Sequence, residues 1–247
     1  MSDTEFLNSD TATGQEDLSA LVWLPGEFAA AGILDVKLAG SNGTKWMDIN
    51  VPRLSSYFAP TRGGQLVSII GQSSMGKSLL MHYLEYQMAQ QLLKENRFDE
   101  VIFHVSVEEP VEDMAMLALA RHSGQPVGLL SRGVVEDQKG LEIASTKISG
   151  IPIVYIGESI NSRQNSSGLT NAMNLTNCFR VIKDSCVQMR KRPAAIVLDY
   201  LQAFPIDPRL AASTEPINQR RLQVRSDVYF MRRAGMYFGC PMFTGVQ

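Results

Sequence analysis

Eight consecutive residues constrain this chain more than any other segment: Gly71, Gln72, Ser73, Ser74, Met75, Gly76, Lys77 and Ser78. They satisfy the pattern G-x-x-x-x-G-K-[S/T] at every specified position, and they stand between an apolar run and an amphipathic stretch. A strand, a glycine-rich turn and a helix in that order curl successive backbone N–H groups around a phosphate, and the helix N-terminus adds the positive end of its dipole. Lys77 is then placed to bridge the β- and γ-phosphates of a nucleotide. Ser78 offers a hydroxyl to Mg²⁺, which prefers oxygen ligands in octahedral geometry. ATP and Mg²⁺ are the expected ligands.

From residue 61 onward strand and helix signals alternate, which predicts βαβ units: an α/β fold whose mainly parallel sheet carries helices on both faces. Continuous apolar runs at 65–70, 101–107, 151–156, 194–198 and 241–246 read as strands buried on both sides. Helices are expected over 77–94, 111–122, 175–191 and 222–238, with shorter ones near 127–130 and 135–148. Polar stretches at 159–171 and 205–219, the latter holding Pro205, Pro208 and Pro216, read as surface loops. Residues 1–17 read as an acidic, disordered tail and 18–60 as a small N-terminal extension with a short helix through Ala29, Ala30 and Ala31. Residues 61–247 form the expected ATPase domain.

A phosphate loop also needs a carboxylate for its metal at the end of a neighbouring buried strand. The run Ala195-Ile196-Val197-Leu198 ends in Asp199, which suits that role beside Ser78. Between loop and Asp199 lies a second strand that ends in acids, Ser106-Val107-Glu108-Glu109-Pro110. A carboxylate there can orient and deprotonate the water that attacks a γ-phosphate, and Glu108 is preferred to Glu109.

Composition excludes several classes. Hydrophobic residues make up 45% and charged residues 19%, which is ordinary for a globular domain. No apolar stretch is long enough for a membrane span, and the N-terminus is acidic where a signal peptide would be basic and then apolar. A cytoplasmic protein with no membrane partner is expected. Cys178, Cys186 and Cys240 are too few for a disulfide framework and read as buried thiols. The formal net charge of −2 gives no global basic footprint for nucleic acid. Arg209, Arg220, Arg221 and Arg225 cluster after the Asp199 strand, where a local groove for single-stranded nucleic acid competes with an ordinary solvated helix face. Arg190, Lys191 and Arg192 read as cations complementing a helix end.

Taken in order, these segments resemble the RecA-like ATPase domain of DnaB-type replicative helicases. Asp199-Tyr200-Leu201-Gln202 is similar to the family's D-Y-L-Q, and Ser106-Val107-Glu108-Glu109 resembles its S-L-E-M, which carries the catalytic glutamate. Arg121 and Leu130-Ser131-Arg132-Gly133 fall where the family has an arginine and an l-x-x-G turn. The segment 239–247 resembles the strand that delivers a glutamine sensor of the γ-phosphate, here Gln247.

The resemblance covers roughly Arg62 to Gln247 and implies a homo-oligomeric ring or filament, a hexamer by preference, with single-stranded DNA as a partner. It departs from the family in Ser78, where Thr is usual, and in the short segment ahead of the domain. It also stops where the family continues into DNA-contacting loops and an arginine finger, a group worth ~10³–10⁵ in rate. The chain is therefore expected to be part of a longer protein, with slow hydrolysis by itself. Two functions follow: a motor ATPase acting on DNA, or a regulatory or assembly ATPase that uses ATP to organise a protein partner.

Overall fold

The computed structural model describes residues 25–40, 46–49, 51, 55–72, 74–160, 174–199, 201, 204 and 216–246. The chain divides into two compact units, Met1–Trp46 and Met47–Gln247. In the first, helix α1 (Pro25–Gly40) opens on a proline, with Glu27 in its first turn and Lys37 in its last, both suited to the helix dipole. It extends well beyond the three alanines that suggest it.

The second unit is built on five parallel strands, β1 (Leu66–Ile70), β2 (Glu100–Ser106), β3 (Ile153–Ile156), β4 (Arg192–Asp199) and β5 (Met242–Val246), in the order β1-β5-β4-β2-β3. Helices α2 (Lys77–Lys94), α3 (Val111–Ser123), α4 (Val127–Leu130), α5 (Gln138–Ser149), α6 (Leu175–Met189) and α7 (Pro216–Phe238) connect them. Every residue of β2 is buried, and so is β4 beyond Arg192, which is why both read as largely apolar runs.

Alternation along β5 assigns the helices to two faces. Phe243 joins the cluster formed by Met81, Met88, Ala89 and Leu92 of α2 with Ala195 and Val197 of β4. Its neighbour Met242 points the other way, toward α7, where a Cβ on Gly235 would come within 3.0 Å of Met242 Cγ. On that second side Phe179 of α6 meets Phe230 and Phe238 of α7 at ring-centroid distances of 5.5 and 6.2 Å.

Two differences from the sequence expectations have local causes. The strand expected over 194–198 begins at Arg192, with Pro193 inside it. Proline brings no N–H to the ladder, and the register with β2 shifts there: Val101 pairs with Pro193, but Ile102 pairs with Ala195. The polar stretch expected as a loop over 205–219 is already helical at Pro216, because proline is well tolerated in the first turn of a helix. Residues 161–173 and 205–215, like the tail at 1–17, lie outside the described residues.

Candidate nucleotide site

All five strands run the same way, so their carboxyl ends share one edge, and the sequence motifs collect there. β1 leads straight into the loop, and the Gly71 N–H donates to Val246 O at 3.2 Å, tying the loop to the end of β5. Gly76 is the residue before α2 and has φ 80° and ψ 24°, a left-handed conformation that strains any side chain but costs glycine little. No side chain caps α2, so the N–H groups of its first turn are left for a ligand. Lys77 Nζ donates to Gln72 O at 2.9 Å, which folds the ammonium back over the loop. Ser74, with φ 62°, adds a second left-handed residue to the curl.

Asp199 closes β4 and is 2% exposed. Its carboxyl lies close enough to the Ser78 hydroxyl for Ser78 to lower its pKa, and its Oδ1 is buried with no hydrogen-bond partner. Burial raises the pKa of this carboxyl above its ordinary value. The Ser78 hydroxyl and the imidazoles of His104 and His82 pull it down, and Glu109 pushes it up. A buried carboxylate oxygen without a partner, next to a hydroxyl at the foot of a phosphate loop, fits a hard divalent cation such as Mg²⁺.

β2 and β4 end side by side, Ser106 opposite Asp199, and the Val107 N–H donates to Asp199 O at 3.2 Å. The turn that follows separates the two glutamates. Glu108 is exposed, at the edge that also holds Asp199. Glu109 turns inward: its N–H donates to Ser106 Oγ at 2.9 Å, and its carboxylate meets His82 Nε2 at 3.3 Å.

Beneath this edge lies a polar network that the sequence motifs do not announce. His82 Nδ1 hydrogen-bonds Glu85 Oε1 at 2.8 Å, Glu85 Oε2 hydrogen-bonds His104 Nδ1, and Tyr155 Oη donates to Glu85 Oε1 at 3.2 Å. His82, Glu85 and His104 are buried. Burial alone would lower the proton affinity of His82, but its hydrogen bonds to Glu109 and Glu85, and their charges, outweigh it and raise the pKa to about 9. Burial likewise opposes ionisation of Glu85, yet the two histidines bring it down to about 2. His104 carried the signal: a histidine in the middle of an apolar strand needs a buried partner.

Thus Gly71, Gln72, Ser74, Met75, Gly76, Lys77 and Ser78 form one loop, Ser78 lies beside Asp199, and Glu108 stands at the same edge. Ser73, Tyr200, Gln202, Arg209 and Gln247 lie outside the described residues. Arg221 and Arg225 are exposed on α7, while Arg192 is paired with Asp99 at 2.8 Å. Among the described residues no helix is long and apolar enough to cross a membrane.

No family model matches the chain, and no curated protein matches its sequence. Solved structures do. An ATPase domain of G40P superposes with a TM-score of 0.64 at 14% identity, over 88% of this chain and 69% of that one. A DnaB-like replicative helicase, solved in a study of its interactions with primase, gives 0.64 and 14% over 87% of this chain and 48% of that one. The chain thus spans about half the length of that helicase. With five parallel strands in this order and helices on both faces, the Met47–Gln247 unit has the RecA-like P-loop NTPase fold of DnaB-type helicase ATPase domains.

Proposed function

We propose that this chain is the ATP-binding and ATP-hydrolysing module of a RecA-like motor that acts on DNA. The observation that carries the reading is the Asp199 carboxylate, beside Ser78 and buried with one oxygen unpartnered at the foot of the phosphate loop.

Each residue then has a task. The loop N–H groups and the open first turn of α2 bind the phosphates, and Lys77 exchanges its contact with Gln72 O for their oxygens. Ser78 and Asp199 would hold Mg²⁺, which neutralises charge on the phosphates when bound. Glu108 orients the attacking water and takes its proton. Gln247 contacts the γ-phosphate and reports its loss. By likeness to the DnaB-type domains the working unit is a ring or filament, a hexamer by preference, in the cytoplasm.

Direct binding measurements test this. Lys77→Ala is expected to weaken ATP binding at least tenfold, and Asp199→Asn to abolish the dependence of that binding on Mg²⁺. Glu108→Gln should bind ATP normally and turn over about 10²-fold more slowly. ATP binding by Asp199→Asn that still strengthens with Mg²⁺ as in the wild type would sink the metal assignment. Stimulation of turnover by single-stranded DNA separates the motor from an assembly ATPase, which the net charge of −2 favours. The assembly reading expects ATP-dependent capture of a protein partner, lost in Lys77→Ala and unaffected by DNA.

A further inference from the structure

The buried network has two candidate uses, as a metal centre or as a brace. His82, Glu85 and His104 bring their ligand atoms within 4.8 Å of one another, the only such buried group of metal-binding side chains among the described residues. Ring geometry decides against a metal. The two imidazoles are stacked, with centroids 4.7 Å apart and planes 5° from parallel. The lone pair of an imidazole nitrogen lies in its ring plane, so nitrogens on parallel, stacked rings do not converge on one ion at about 2.1 Å. Both Nδ1 atoms are instead turned to opposite oxygens of a single carboxylate, Glu85, which suits shared protons.

His82 uses both nitrogens on carboxylates, Nδ1 on Glu85 and Nε2 on Glu109, at 2.8 and 3.3 Å. It stands one helical turn after Ser78 on α2, and its own carbonyl accepts a hydrogen bond from Arg121 of α3 at 3.2 Å. Glu109 is the residue after Glu108 and is fixed at its other end, through its N–H, to Ser106 Oγ. One continuous set of contacts therefore runs from the phosphate-loop helix to the turn that presents Glu108.

We propose that His82 is a positioning residue for hydrolysis: clamped between Glu85 and Glu109, it locks the turn 107–110 against α2 and so fixes the Glu108 carboxylate relative to the phosphate loop. The inference rests on the reading of Glu108 as the residue that activates water. It assigns Glu109 the structural half of the acidic pair and Glu108 the chemical half. A misplacement of about 1 Å at such a carboxylate costs up to ~10²-fold in rate.

Single-turnover hydrolysis and ATP binding, measured on the full chain, test the clamp. His82→Phe keeps a ring to stack on His104 but loses both hydrogen bonds; Glu109→Ala removes the other end; Glu109→Gln keeps an acceptor. The expected result is a tenfold or greater loss of the chemical rate in His82→Phe and Glu109→Ala, with ATP affinity within about twofold of wild type. Glu109→Gln should lose less than about threefold. The double variant should be no slower than the worse single one, since both cut the same connection. The His82 ring, followed by NMR, should titrate near 9 in the wild type and at a lower pH in Glu109→Ala.

Normal rates in His82→Phe and Glu109→Ala, alongside a dead Glu108→Gln, would overturn the clamp and leave the Glu108 reading standing. A Glu108→Gln chain that turns over normally while Glu109→Gln is dead would overturn both, making Glu109 the base. Glu109 is half-buried at the surface, so Glu109→Ala keeps the test decisive if His82→Phe fails to fold.

Discussion

His82 and Glu85 tie stability to pH at both ends of the scale. The His82 pKa is raised from 6.5 to about 9 in the folded chain, so its ion pairs stabilise fully below about 6.5 and fade as the pH rises through 9. The Glu85 pKa is lowered from 4.5 to about 2, so its share is complete above about 4.5 and disappears as the pH falls through 2. Thermal denaturation followed from pH 6 to 10 should show a fall in Tm that His82→Phe lacks. Gly76→Ala is expected to destabilise by ~1–2 kcal/mol through its left-handed φ alone and to weaken ATP binding as well, both readable by denaturant titration with and without nucleotide. At this scale the motif residues were legible because their chemistry is local: a turn, a lysine and a hydroxyl adjacent in sequence. The Glu109–His82 contact spans 27 residues, and nothing in the local pattern around either residue announces it.

Elements were legible where burial is continuous. β2 and β4 are buried on both sides, and their apolar runs give them away; α2 was expected over the same 18 residues it occupies. Prolines defeated the reading at both ends of the scheme. Pro193 and Pro216 look like interruptions, yet one sits at a register shift where a ladder bond is absent and the other opens a helix whose first N–H groups have no intrahelical acceptor anyway. The register shift also shows why strand ends are hard to set from sequence: one extra residue on β4 moves every later partner by one. Phe243 belongs to the α2 side of the sheet and is 1% exposed. Phe243→Ala should therefore cost ~3–5 kcal/mol, measured as a shift in the denaturant midpoint at constant slope.

For the whole molecule, strand order could be expected only through the family resemblance, since apolar runs do not say which strand lies beside which. β5, the last strand among the described residues, lies between β1 and β4, and among those residues it is the only strand paired with β1. A ribosome makes β1 first and must make some 170 further residues before its partner exists. β2, β3 and β4 can assemble while synthesis proceeds, but among the described strands β1 and the phosphate loop behind it have no ladder to join until β5 emerges. Long-range parallel pairing of this kind is slow and leaves an unpaired edge exposed meanwhile. On the proposed reading ATP can then be captured only after β5 has emerged, so nascent chains halted before Pro241 should retain no nucleotide, while those extended well past Val246 should.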